Sequence, residues 1–437
     1  MNKQTCKAFL KVADKFKLGQ LQTEQPHPLT IQLSQDAQKN LNSAIASLKE
    51  VDCEALEQLK AFLPDIADLG RSIHQTLKAG GNLYLCGCGA TGRLSISLET
   101  FCRQGLVTEE YKDRFIGFMA GGDTALFKSI ENFEDYPEYG ERQLLELGFS
   151  DNDLLISTTE GGETPFVIGA TEAATSISNR KPWFLYCNPE KQLIQQVERS
   201  ARVIENPAIT SLSLYVGPMG LSGSTRMQAS TVLMAAVGWA IGCGNDLSNL
   251  EESLRKLDEA WRNLDLFTLS DFIKAESECY NRGEFIIYET DVFAVTVLTD
   301  TTERSPTFSL PAFENDEDPS DPPAWCYLSI PTAESLDSAW KAVLERSPRC
   351  LEWDGIHSFT GRNYLNGFHI DRTCPSKRIE KTNHAKQHRF SITAIENGFS
   401  MEFMEYHWNV LAPNLSNFEL NLLLKMLLNI HSTLVMG

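Results

Sequence analysis

The chain has 437 residues, 42% of them hydrophobic, and carries 39 basic against 58 acidic side chains for a net charge of −19. That length and apolar content build a globular protein of two or three domains. The acidity excludes nucleic acid or an anionic membrane surface as a partner, though a phosphate can still be held by local donors.

No stretch is long and apolar enough to span a bilayer, and residues 1–20 lack the continuous apolar run of a signal peptide. The compartment is therefore expected to be the cytoplasm, with reduced cysteines. The eleven cysteines are scattered without CxxC pairs or histidines at ligand spacing, which argues against zinc; no metal or cofactor is expected.

In chain order, the first twenty residues read as a loose amphipathic helix. Thr23–Thr30 (TEQPHPLT) is an irregular, proline-punctuated stretch, and helical patterns fill most of Ser34–Lys78. From Asn82 onward short apolar runs alternate with helical patterns. Strands are predicted at Asn82–Cys86, Phe115–Ala120, Asp153–Ser157, Trp183–Cys187 and Ser213–Val216. This alternation predicts an α/β fold with a doubly wound parallel sheet, whose ligands lie at the carboxyl ends of the strands.

The chain is organised around Asn82–Phe101. An apolar strand runs into Gly87-Cys88-Gly89-Ala90-Thr91-Gly92, and Leu94, Leu98 and Phe101 then repeat at helical spacing. Strand, glycine turn and helix start make an anion cradle of outward-pointing amides, with the Thr91 hydroxyl as a further donor. A tight turn without a ligand gives the same pattern, since the glycine spacing is a weak signal by itself. Gly121–Thr124 and Ser157–Thr164 leave two other predicted strand ends with glycines and hydroxyls. Thr159 and Thr164 can donate to an anion. Glu160 and Glu163 would repel one unless they face sugar hydroxyls or solvent. Ordinary helix capping ahead of Pro165 is the alternative for that loop.

GCGATGR (Gly87–Arg93), AGGDTAL (Ala120–Leu126) with ENFED after it, the TPF loop and GPMGLSGSTRM (Gly217–Met227) follow TEQPHPLT in fixed order. The set resembles the sugar isomerase (SIS) domain family. Within it, the chain is similar to the N-acetylmuramic acid 6-phosphate etherases and, more closely, to the glucokinase regulatory proteins. The resemblance runs from about Thr23 to the C-terminus, dense to Met227 and thinner beyond. It implies two tandem SIS-type doubly wound parallel-sheet domains, at 79–250 and 251–437, behind an N-terminal helical segment, 1–78. In the second copy, strands are predicted at Glu284–Tyr288, Trp325–Ile330 and Arg349–Trp353. Phe313–Pro323 reads as a surface loop, Arg362–Gln387 as an exposed excursion, and Phe418–Met436 as a helix.

By the resemblance, the first copy keeps the phosphate loops, but Phe101 stands where an etherase has a catalytic glutamate. Glu99 cannot replace it, because two residues on a helix is roughly 200° of rotation. Met234 stands where the etherase helix has lysine. The second copy has Glu289-Thr290-Asp291 in place of the glycine loop, yet keeps Glu303 (DTTERSPTF) and Lys425 (KMLLNIHST). One complete set divided between the copies implies one composite site.

The expected phosphosugar-binding residues are Gly89, Ala90, Thr91, Gly92, Glu134, Thr159, Glu160, Gly161, Glu163, Glu303 and Lys425; Glu134 and Glu303 would be catalytic only in an etherase. Glu163 stands where the family has a hydroxyl. Each also has a structural reading: Glu134 as a solvated helix charge, Glu303 as a surface pair with Arg304, and Lys425 as a buried helix residue whose ammonium reaches out. Arg226 reads as a structural ligand of carbonyls or a carboxylate. The expected partner is a hexose or amino-sugar 6-phosphate, with a protein such as a sugar kinase as a second partner. The function is then a sugar-phosphate-sensing module, or alternatively an etherase-type lyase using paired carboxylates.

Overall fold

The computed structural model describes residues 18–130 and 133–437, with Lys7, Leu10 and Ala13. The helix expected over the first twenty residues lies almost wholly outside these, as do Glu131 and Asn132 of the ENFED motif.

Two amphipathic helices precede the first sheet. In α1 (Leu41–Leu59) Ile45, Leu48, Leu56 and Leu59 are buried, and in α2 (Leu63–Lys78) Leu63, Ile66, Leu69 and Ile73 are. These three- and four-residue steps put one apolar stripe of each helix into the core. Pro64 sits in the first turn of α2, where its missing N–H costs nothing.

β1 (Leu83–Gly87) is buried along its whole length and leads into α3 (Gly89–Phe101). β2 (Phe115–Met119), β3 (Leu154–Thr158), α4 (Pro165–Ile177), β4 (Trp183–Tyr186) and β5 (Thr210–Ser213) complete a parallel sheet in the order β2-β1-β3-β4-β5. Leu85 of β1 lies opposite Gly117 on one side and Ile156 on the other. α3 packs on β1 and β2, and a Cβ at Gly117 would lie 2.5 Å from the Ser95 carbonyl oxygen. Glycine there lets the helix come down onto the sheet.

The last strand ends earlier than its apolar signal implied. Leu214 and Val216 are buried, but they lie beyond the ladder, where the chain turns toward Gly217-Pro218. Burial alone gave them the look of a strand.

α5 (Gln228–Cys243) is buried nearly end to end, and α6 (Leu269–Asn281) leads to the second sheet. β6 (Phe285–Glu289), α7 (Ala294–Phe308), β7 (Cys326–Ser329), β8 (Gln387–Ile395), β9 (Gly398–Phe403) and β10 (Tyr406–Leu411) give the order β10-β9-β8-β6-β7. This sheet is mixed rather than wholly parallel. β6 pairs in parallel with β7 and β8, while β8, β9 and β10 form an antiparallel meander. Its exposed face gives β8 and β10 an alternating burial pattern, as expected of a sheet covered on one side.

Two expectations for the second half are corrected. Arg349–Trp353 forms no strand; it is an extended segment whose Leu351 and Trp353 pack into the core beneath the first sheet. Arg362–Gln387 is not an exposed excursion. It contains short helices at Arg362–Leu365 and Cys374–Lys381, and it buries Tyr364, Leu365, Phe368 and Ile370. Each short turn drops one apolar anchor, so no period marks them; Phe368 stacks on Phe127 at 4.9 Å. The Phe313–Pro323 loop likewise starts buried, with Phe313 stacked on Tyr327 at 4.1 Å.

α8 (Asn417–Met436) is apolar around most of its circumference and packs against α1, α5, α6 and α7. A helix hydrophobic on all sides belongs in the interior, and here one hydrophobic cluster runs through both halves.

Candidate functional site

A cavity of about 460 Å³ opens at the carboxyl ends of β1, β2 and β3. Gly89, Ala90 and Arg93 line it from the start of α3, and Met119 and Ala120 from the end of β2. Thr159, Glu160, Gly161, Glu163 and Thr164 come from the loop after β3. Glu134, Arg199, Glu24 of the N-terminal segment, Thr225 and, from the second half, Pro306 complete the wall.

The turn into α3 has the geometry of an anion cradle. Gly89 has φ +53°, and a Cβ there would meet nothing within 4 Å, so the backbone is open to the cavity where the helix begins. Such a helix start presents unpaired amides and the positive end of the dipole. Thr91 and Gly92 serve the turn from behind. The Cys88 amide donates to Thr91 Oγ1 at 3.1 Å, and Thr91 Oγ1 donates to the Cys88 carbonyl at 2.9 Å. That hydroxyl closes the cap and does not line the cavity. At Gly92 a Cβ would come within 2.6 Å of Met119 Cβ.

The loop after β3 is held from several sides. Thr159 Oγ1 and Thr164 Oγ1 share a hydrogen bond at 3.0 Å. Asn188 Nδ2 donates to the Gly161 carbonyl at 2.8 Å, and Ser200 Oγ to the Gly162 carbonyl at 2.7 Å. Its two acids have different environments. Glu163 pairs with Arg199 at 3.1 Å. Glu160 is buried, accepts from Ser230 Oγ at 2.8 Å, and is pushed up to about 7, chiefly by burial. Glu24 also lies above the ordinary carboxylate range, through burial and the nearby Glu163.

Glu303 of the second half does not line the cavity itself but holds Arg93, which does. Arg93 donates to Glu303 Oε1 at 2.6 Å and to the carbonyls of Ala125 and Leu126 at 3.0 and 3.3 Å. Glu303 is therefore not paired with Arg304, whose guanidinium binds Glu276 and Asp300. Lys425 lies deeper and does not line the cavity. Its ammonium donates to the Arg226 carbonyl, Thr231 Oγ1 and Asn429 Oδ1, each at 2.9 Å. Burial lowers it to about 8 despite Asp52 nearby, and Asp52 is raised to about 7, again by burial.

Arg226 has a structural role, bound to Asp300 at 3.1 Å and to Ser432 and Thr433 at 2.9 and 3.0 Å. Phe101 packs edge-on against Phe418 at 5.7 Å, and Met234 is buried; both positions are core.

Arg93, Arg199 and Glu24 line the cavity without having been singled out from sequence. Arg93 closes the GCGATGR motif and was in plain view. Arg199 lies in a helix after β4 and has no local signal. Away from the cavity, ligand atoms of Cys279, Glu284 and His388 come within 4.8 Å of one another, a grouping that no sequence spacing announced. Arg282 already donates to Cys279 Sγ at 3.4 Å and to Glu284 at 2.8 Å, which neutralises the cluster. The described cysteines are free, and no helix among the described residues is long and apolar enough to cross a membrane.

Residues 65–175 match the family described as the glucokinase regulatory protein N-terminal SIS domain. The chain is 33% identical over 208 residues to an N-acetylmuramic acid 6-phosphate etherase of Klebsiella aerogenes, covering 46% of this chain and 65% of that one. It is 30% identical over 226 residues to a protein of the same name in Aliivibrio fischeri (strain MJ11), covering 50% and 71%. The chain thus spans about two thirds of the length of these relatives. Among solved structures it is similar to the tagatose-6-phosphate ketose/aldose isomerase of Escherichia coli, with a TM-score of 0.47 at 11% identity over 94% of both chains. A phosphoheptose isomerase from Francisella tularensis gives 0.32 at 17% identity, over 49% of this chain and 98% of that one. The chain belongs to the sugar isomerase domain family, a family of phosphosugar-binding folds, alongside the etherases and the regulatory-protein domain.

Proposed function

We propose that the protein is a sugar-phosphate-sensing module with one site, the cavity at the ends of β1, β2 and β3. The observation that carries this reading is the start of α3, where Gly89 opens helix-terminal backbone onto the cavity. The phosphate lies against the amides of Gly89 and Ala90 and the hydroxyls of Thr159 and Thr164. The carboxyl groups of Glu134 and Glu163 accept from sugar hydroxyls. The second copy, 251–437, contributes through Glu303, which holds Arg93 at the cavity wall, and Lys425 supports the floor from behind. On this reading residues 79–250 form the cradle domain behind the helical segment 1–78. The occupied state is read by a protein partner, and a sugar kinase is the first to test. Titration calorimetry decides the site: a hexose or amino-sugar 6-phosphate binds and its unphosphorylated parent does not. Equal affinity for both sinks the reading.

Etherase-type lyase activity is the second reading, supported by the relatives of that name and by Glu134 at the cavity. Glu303 weighs against it, because its carboxylate is engaged by Arg93 at 2.6 Å and does not line the cavity. The assay is lactate release from N-acetylmuramic acid 6-phosphate. Release that disappears in Glu134→Gln would replace the sensing reading with the enzymatic one.

A further inference from the structure

The cavity presents a charge problem to any phosphate. Its wall carries Glu24, Glu134, Asp135, Glu160 and Glu163 against Arg93 and Arg199, and both arginines are committed, to Glu303 and Glu163. Glu160 differs from the two acids that these arginines hold. Its described partner is a hydroxyl, Ser230, rather than a cation. Its side chain is buried, and its backbone is fixed. The Thr159 amide donates to the Leu185 carbonyl at 3.0 Å, and the Cys187 amide to the Glu160 carbonyl at 2.9 Å, which ties its backbone to the end of β4.

We propose that Glu160 enters the ligand complex as a carboxylic acid and donates its hydrogen to an oxygen of the bound sugar ester, so that binding above neutral pH takes up a proton. This rests on the sugar-phosphate reading of the cavity. A neutral Glu160 removes one of the charges that would oppose the ester and supplies a donor in its place. A buried carboxyl kept neutral by its surroundings can act in this way.

The groups facing Glu160 pull in both directions, and burial outweighs those that favour the anion. Burial raises it most. Ser230 on α5 and a backbone hydrogen bond favour the anion, Glu303 on α7 opposes it, and Lys425 on α8 favours it weakly. That ammonium is already spent on Arg226, Thr231 and Asn429. Cys88 after β1 and Cys187 after β4 also face it, and burial raises both thiols, which keeps them neutral.

The test uses glucose 6-phosphate and glucose 6-sulfate as probes, because the sulfate ester has no proton of its own to exchange near neutrality. Calorimetry in two buffers of different ionisation enthalpy reads the protons taken up. The wild type should take up close to one proton per sulfate ester near pH 8 and almost none near pH 6. Its affinity should weaken with rising pH by up to about tenfold per unit, while Glu160→Gln binds without uptake and at constant affinity. Esters that bind without uptake, or with the same uptake in Glu160→Gln, overturn the role of Glu160 and leave the site reading intact.

A ligand-free measurement separates the two ideas. Between about 4.5 and about 7 the folded protein holds the Glu160 proton that the unfolded chain has lost. The wild type should therefore lose stability relative to Glu160→Gln as pH rises through that window, with no further change above it. A flat difference overturns the proposal. Failure of both esters to bind with that loss present overturns the sugar-phosphate reading, and with it donation to a sugar ester.

Discussion

Both halves of the molecule run a strand into a helix, β1 into α3 and β6 into α7, and the two turns have come to opposite ends. After β1 the helix begins at Gly89, and its first backbone groups face a cavity. After β6 the chain takes Glu289-Thr290-Asp291 before α7 begins at Ala294. Asp291 there accepts from the amide and the hydroxyl of Thr332, Glu289 is raised by burial, and the buried Thr290 hydroxyl has no hydrogen-bond partner among the described residues. The second turn is filled by its own side chains. The helices reverse the contrast. α3 ends in Phe101, packed on Phe418, whereas the matching face of α7 carries Glu303, which reaches across to Arg93. The lesson is that two similar strand-to-helix units need not play equivalent parts once they are packed together. One half has the open backbone, and the other supplies the Glu303 carboxylate that holds Arg93 in place.

The largest effect should come from breaking that cross-connection. Arg93→Met leaves Glu303 buried without its cation, which costs about 3–5 kcal/mol; urea unfolding should show it. Adding Glu303→Gln should recover most of the loss, since a neutral amide no longer needs the arginine. No recovery would mean that Arg93 acts mainly through the Ala125 and Leu126 carbonyls.

The two halves should also answer pH in opposite directions. His431, on α8 in the second half, is fully buried and lowered to about 4, chiefly by burial, which outweighs the Glu276 carboxylate 3.6 Å from its Nε2. Between about 6.5 and about 4 the unfolded chain binds a proton there that the folded protein refuses, so stability falls as pH falls. The shift corresponds to about 3 kcal/mol, and the difference between wild type and His431→Leu should shrink by that order across the window. Glu160, in the first half, moves stability the other way. Slopes of the same sign for both would break the contrast.

Next is the packing around Phe101. A Cβ at Gly238 would lie 2.1 Å from the Phe418 ring, the ring on which Phe101 rests. Gly238→Ala should cost about 1–3 kcal/mol of overpacking, read as a lower thermal midpoint, without changing sugar-ester affinity at temperatures where the protein is folded.

Gly89→Ala tests the open turn. Its left-handed backbone costs about 1 kcal/mol with any side chain, but the space is empty, so the fold survives. The methyl group projects where the phosphate is proposed to lie, and affinity should drop at least tenfold in calorimetry. Unchanged affinity would move the phosphate elsewhere. The smallest effect belongs to Arg255→Ala, where an exposed arginine faces Glu252 and Glu259 on its own helix. Water and salt screen such pairs, and the unfolding midpoint should stay where it is.

The sequence by itself determined the elements whose signals are local. β1 to β4 announced themselves as continuous apolar runs because both faces of this parallel sheet are covered, and the turn at Gly87–Gly92 did so because close backbone approach and a positive φ at Gly89 demand glycine. Only the tertiary structure decided the rest. The antiparallel meander of the second sheet depends on which strand lies beside β6, which no single stretch encodes. The anchors between Arg362 and Gln387 have no period because each belongs to a separate short turn. In the site, Thr159, Glu160 and Glu163 were legible as a polar strand-end loop, but not the difference between them: Glu163 pairs with Arg199 from a distant helix, while Glu160 is buried and accepts from the Ser230 hydroxyl. A carboxyl group's charge is set by what surrounds it in three dimensions, and residues far apart in the chain supply those surroundings.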